Sequence, residues 1–102
     1  MNEDVIIGID AGTSVLKAIA FSIDGKELAN TSTPNVYNIS DDGKVTQSPN
    51  ETWKKCAKII SDLCLKLPGL ESKTLNVSIT GHGDGTWLVD KDGEPTCDAW
   101  LW

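Results

Sequence analysis

Asp10-Ala11-Gly12-Thr13-Ser14 is a polar interruption between two apolar runs. Gly12 permits backbone geometry that other residues resist, and successive N–H groups in such a turn form an anion nest. Thr13 and Ser14 add hydroxyl donors. An acid beside bound phosphate is repulsive unless a cation lies between them, so Asp10 points to Mg2+ held through water. The competing reading is an ordinary tight hairpin with an Asx-type hydrogen bond. Lys17, in the following apolar run, either reaches a phosphate or lifts its ammonium out to water. The segment lacks the glycine-lysine spacing of a P-loop and the glycine pattern of a dinucleotide fingerprint.

The second stretch is Gly81-His82-Gly83-Asp84-Gly85. Alternate glycines let a ligand approach the backbone, and Asp84 between two of them is suited to accept hydrogen bonds from hydroxyls. A flexible loop is the plain alternative. His82 and Asp84 supply two metal donors and no third, which argues against a structural metal. Asp90-Lys91-Asp92-Gly93 begins like an EF-hand, but its glycine is two places early and no glutamate follows at the required spacing; it is a turn. Trp87, Trp100 and Trp102 fall close together late in the chain. Aromatic faces stack on the C–H faces of sugars and polyols, although such residues more often serve cores and interfaces.

These residues need a scaffold. The 102 residues suggest one domain or part of one, with 39% hydrophobic content. Net charge is −6 and all nine basic residues are lysine. No basic patch with interleaved aromatics exists, which disfavours nucleic acid as a partner. The start carries acids where a secretory signal needs positive charge, and no apolar run is long enough to span a bilayer. Cys56, Cys64 and Cys97 fit reduced cytosolic thiols, so the expected location is cytoplasmic. The four glycosylation sequons are then chance matches.

Residues 5–10, 14–22 and 26–33 read as a three-strand antiparallel meander, the first strand buried on both faces. Asp24-Gly25 signals a two-residue hairpin. Residues 44–47 suggest a short edge pairing. Ser48-Pro49-Asn50-Glu51 is a capping box with proline in the first helical turn. The helix it opens places Trp53, Cys56, Ala57, Ile60, Leu63, Cys64 and Leu67 on one face, and Pro68-Gly69 stops it. Residues 74–80 alternate as a fourth strand, and Asp92-Gly93 marks a later hairpin. The fold class is α/β, ordered β-β-β-α-β followed by a β-hairpin. If the right-handed crossover lays the fourth strand parallel to the first, Asp10–Ser14 and Gly81–Gly85 meet at one sheet edge, where ligands of open α/β sheets bind.

In this arrangement IGIDAGTSVLKAIAFSIDGKELA resembles the first phosphate-binding hairpin of the FGGY carbohydrate kinases, relatives of actin, hexokinase and Hsp70. The helix after SPNETW is similar to that family's first helix, and SITGHGDGTWLVDKDGEPTCDAWLW resembles its substrate-side loop and hairpin. The resemblance covers nearly the whole chain and is strongest to erythritol-kinase-type polyol kinases, with xylulokinases next. It implies an incomplete ribonuclease H-like (actin-like ATPase) fold, with residues 1–102 as part of the amino-terminal actin-like domain. It also implies phosphoryl transfer from ATP, with Mg2+, to a hydroxyl of a sugar or polyol. Asp10 then matches the metal-organising acid, and Gly12, Thr13 and Ser14 match the phosphate-contacting turn. Asp84 stands where glycerol kinases carry a substrate-binding glutamate and xylulokinases a histidine. Gly83 stands where glycerol kinases carry an arginine, and Trp102 aligns with a tryptophan packed on substrate. These departures argue against glycerol and against a simple xylulokinase. The general base of the family lies far downstream, so the 102 residues alone are expected to be inactive, with the edge of the fourth strand unpaired. A homodimer of the full-length protein is left open. The alternative is a non-catalytic phosphate- or carbohydrate-binding module.

Overall fold

Alternation of apolar residues builds the first layer. In the computed structural model, which describes residues 3–102, β1 (Val5–Ala11) buries Val5, Ile7 and Ile9. Its antiparallel neighbour β2 (Val15–Ser22) buries Leu16, Ala18 and Ala20 on the same face. β3 (Glu27–Pro34) continues the meander on the far side of β2. Helix α1 (Pro49–Lys66) closes this face with Ile59 and Leu63, and the small alanines of β2 lie beneath it in one apolar cluster. The Thr31 hydroxyl donates to the Ile59 carbonyl at 2.7 Å, joining β3 to the helix through a buried hydrogen bond. Met1 and Asn2, the first residues of the stretch read for a secretory signal, lie outside the described residues.

The crossover has the anticipated outcome. After a short helix α2 (Leu70–Lys73), β6 (Thr74–Gly81) runs parallel to β1, and the sheet order is β3-β2-β1-β6. β6 is therefore an edge strand, and its Leu75, Val77 and Ile79 are exposed. Because α1 covers one face only, β1 is buried on that face alone; Asp10 on the other face is exposed. The expectation of burial on both faces is corrected accordingly.

Residues 34–47 are more ordered than a polar linker. β4 (Asn38–Ile39), β5 (Val45–Gln47), β7 (Gly85–Thr86) and β8 (Ala99–Leu101) form a second sheet in the order β4-β5-β8-β7. This sheet unites segments from before and after the helix.

The helix starts as its capping box requires: the Ser48 hydroxyl accepts from the Glu51 N–H at 3.2 Å, and Pro49 opens the first turn. Most of the expected face meets the core, through Cys56, Ile60, Leu63, Cys64 and Leu67, with Ile59 added and Trp53 and Ala57 left exposed. Ile59 is fully buried whereas Trp53 is 71% exposed. The contact line centres on Ile59 and Leu63, which are fully buried, and is flanked by the partly buried Cys56, Ile60, Cys64 and Leu67. Lys54–Glu51 and Lys58–Asp62 pairs lie on the solvated side. Burial pushes the Cys56 thiol up, which favours its protonated form.

The aspartate-glycine turns share one design. Gly25, Gly43 and Gly93 all have positive φ, at 88°, 84° and 82°. The Gly25 N–H donates to the Ser22 carbonyl, and the Ser22 N–H donates to the Lys26 carbonyl. The same pair of bonds recurs from Ser40 to Lys44 and from Asp90 to Glu94. Each loop thus has three residues ending in a left-handed glycine, not the two residues that Asp24-Gly25 suggested. Ser22 and Ser40 hydroxyls donate to the Asp24 and Asp42 carboxylates and hold both below the usual carboxylate range. Among the described residues no helix is long and apolar enough to cross a membrane.

Truncating Leu63 to alanine should cost about 2–5 kcal/mol of stability, and Ser48→Ala about 1 kcal/mol, in denaturant unfolding followed by circular dichroism. A loss near zero for Leu63→Ala would contradict its place in the core.

Candidate functional site

The parallel register sets the site. Asp10 lies opposite Thr80 and Ala11 opposite Gly81, so the turn after β1 and the loop after β6 leave the same end of the sheet. Asp10 is also the antiparallel partner of Lys17, and both side chains are exposed. Together with Thr80 they line a shallow cavity of about 320 Å³ on the face that α1 leaves uncovered.

The turn itself is tight. The Gly12 N–H donates to the Val15 carbonyl at 3.1 Å. A Cβ on Gly12 would lie 2.8 Å from that same carbonyl oxygen, so only glycine fits there without a shift. Among the described residues, the N–H groups and hydroxyls of Thr13 and Ser14 have no protein partner. The turn therefore presents free donors beside the exposed Asp10 carboxylate.

A Mg2+ ion fits this donor set in a limited way. Among the described residues no group of three or more acidic, histidine or cysteine side chains gathers around one point. Asp10 is one carboxylate, and Mg2+ is commonly bound through one or two carboxylates, waters and substrate phosphates. The arrangement suits a metal brought with a phosphate better than one caged by protein.

On the β6 side, Asp84 is exposed and has no partner among the described residues. A Cβ on Gly83 would meet nothing within 4 Å, so its small size leaves open space. Gly85 differs: a Cβ there would come within 3.0 Å of both the His82 and Trp87 rings. Those rings stand 5.4 Å apart and, with Ala11, Gln47, Thr52 and Gly81, line a cavity of about 260 Å³.

The three late tryptophans do not form one cluster. Trp87 pairs with His82, Trp100 lies beneath the Lys44 ammonium at 4.6 Å, and Trp102 meets Tyr37 edge-on at 5.7 Å. Trp102 remains 65% exposed, leaving much of its surface available.

Two polar residues that sequence reasoning passed over stand behind the turn. Asn35 and Gln47 are both buried, and both bond to its backbone. Each lies in a polar stretch whose composition suggests only a linker or edge, so nothing local singles them out.

Comparison with known proteins agrees with this geometry. The model of the N-terminal domain of the FGGY family of carbohydrate kinases matches residues 5–102. The chain is 54% identical, over 97% of its length, to an erythritol kinase from Brucella abortus, and covers 19% of that protein. It is 36% identical over 96% of its length to a glycerol kinase from Aquifex aeolicus, covering 20% of it. Among solved structures, a xyloylose kinase from Brucella ovis superposes on 96% of the chain with a TM-score of 0.89 at 22% identity, which speaks to the fold. This chain covers 21% of that structure. The chain thus spans about a fifth of the length of the curated relatives it matches. Its architecture is part of the actin-like ATPase fold of these kinases. A mixed sheet that opens on a tight glycine turn, a second sheet beside it and a family match over residues 5–102 together place this chain in the FGGY family of carbohydrate kinases, within its amino-terminal domain.

Proposed function

We propose that residues 1–102 are part of the amino-terminal actin-like domain of a cytoplasmic kinase that transfers the γ-phosphoryl group of ATP to a hydroxyl of a polyol or sugar. The observation that carries this reading is the register that puts Ala11 opposite Gly81. It brings a turn with free N–H and hydroxyl donors next to a loop with an open glycine and a free carboxylate. Phosphoryl transfer depends on positioning and charge stabilisation, and these two features suit the phosphate and the alcohol respectively.

In this reading Gly12, Thr13 and Ser14 contact phosphate through backbone and hydroxyl donors. Asp10 holds Mg2+ through water, and Lys17, its cross-strand partner, offers a cation to the same phosphates. The bound metal supplies neutralisation of phosphate charge. Asp84 accepts hydrogen bonds from substrate hydroxyls, the space at Gly83 admits a longer polyol, and Trp102 packs against its carbon chain. Similarity to an erythritol kinase favours a four-carbon polyol class over glycerol. The base that deprotonates the acceptor hydroxyl is supplied from elsewhere in the full-length protein, so the 102 residues alone are inactive.

The full-length protein should turn over ATP with at least one member of a panel of C3–C6 polyols and ketoses; absence of phosphorylated product across the panel refutes the enzyme reading. Asp10→Asn should lower kcat about 10–100-fold, as loss of an outer-shell metal partner does, with an unchanged melting temperature. Equal rates would remove Asp10 from the metal's surroundings. Asp84→Ala should raise the polyol KM roughly 10–100-fold, the equivalent of a charge-assisted hydrogen bond of about 1.5–3 kcal/mol, and leave the ATP KM unaltered. A change confined to ATP would assign Asp84 to the wrong ligand.

A further inference from the structure

Two buried amide side chains hold the phosphate turn from behind. Gln47, 1% exposed, donates through Nε2 to the Thr13 carbonyl at 2.9 Å and to the Val36 carbonyl at 3.1 Å. Asn35, 5% exposed, donates its backbone N–H to the Ser14 carbonyl at 2.8 Å. The Asn35 Nδ2 makes a long contact of 3.5 Å to the Gly12 carbonyl and a bond of 3.3 Å to the Thr52 hydroxyl. Three consecutive carbonyls of the turn are thereby tied inward.

The consequence lies in the peptide plane. In a trans peptide the C=O and the following N–H point in opposite directions, and rotating one rotates the other. Every peptide bond in the described chain is trans. Tying the Gly12 carbonyl aims the Thr13 N–H outward, and tying the Thr13 carbonyl aims the Ser14 N–H outward. Among the described residues neither of these two N–H groups has a protein partner.

Gln47 carries a cost for this placement. Its Oε1 is buried and has no hydrogen-bond partner. A buried unpaired acceptor is unfavourable and rare, and asks for an explanation. Rotating the amide by half a turn would set Oε1 against two carbonyl oxygens, so the observed orientation is the one that feeds the turn. Gln47 belongs to β5 and lies opposite Ala99 of β8, within the strand that ends just before Trp102. The same side chain thus ties the phosphate turn to the second sheet.

We infer that Gln47 and Asn35 are positioning residues, a buried clamp that fixes the direction of the Thr13 and Ser14 N–H groups for binding phosphate and keeps that turn in register with the second sheet. The inference rests on the kinase reading above. Gln47→Met keeps a long side chain and removes both donated bonds; Asn35→Ala removes only the side-chain contacts and keeps the bond to Ser14.

In the full-length protein, Gln47→Met should raise the ATP KM at least about 10-fold and lower kcat, while the polyol KM stays within about 3-fold. Asn35→Ala should act in the same direction by a few-fold. A merely structural role would reduce the active fraction and leave both KM values in place, which would overturn the inference. Hydrogen exchange of the peptide spanning residues 10–16, with and without Mg2+-ATP, provides a readout independent of turnover. Protection by ATP in the wild type, lost in Gln47→Met or, should that variant not fold, weakened in Asn35→Ala, supports the clamp. Protection retained in the folded variants overturns it. Wild-type protection without turnover of any polyol would refute the substrate reading and leave the clamp standing. No ATP protection in the wild type would refute both.

Discussion

The parallel pairing of β1 with β6 is the constraint on which the rest depends. An 18-residue helix carries the chain back over the sheet, and the returning strand runs beside β1 in the same direction. Parallel strands end at the same edge, so whatever follows β1 and whatever follows β6 must be neighbours. The core serves this pairing: Val5, Ile7 and Ile9 face Ile59 and Leu63, and the alanines of β2 let the helix approach. A slip of one residue in β1 would turn its buried side chains outward and move Asp10 to the opposite face. Burial of apolar side chains and placement of the acid are one decision.

The second sheet adds a further tie. Its strands are two or three residues long and could not persist alone. They are held because β5 precedes the helix, β7 and β8 follow β6, and Gln47 reaches from β5 into the turn after β1. Gln47 of the second sheet and Asn35 thus both hold the turn by its carbonyls.

Much of this was legible in residue order. Apolar runs marked β1 and β2, the Asp24-Gly25 turn marked β3, alternation marked β6, and the Ser48 box marked the helix start, because each rests on local chemistry. The pentad at residues 10–14 and the loop at residues 81–85 stood out because glycine and acid break apolar strands. The second sheet was less visible: β4 and β7 have two residues each and leave no periodic trace, although Lys44–Gln47 carried a hint. The helix face was misjudged at Trp53 because hydrophobicity marks a broad stripe, while the contact line with the sheet depends on packing. Asn35 and Gln47 were missed for a different reason. Their role lies in which distant carbonyl each amide meets, and no spacing within the sequence encodes that.

In the proposed function one end of this sheet gathers phosphate and alcohol. This is tested most directly by a crystal structure of the full-length protein with a non-hydrolysable ATP analogue, Mg2+ and a four-carbon polyol. A phosphate oxygen should lie at hydrogen-bond distance, about 3 Å, from the Thr13 and Ser14 N–H groups, with a polyol hydroxyl at the Asp84 carboxylate. A nucleotide whose phosphates bypass the turn, or a polyol bound away from Asp84, would contradict it.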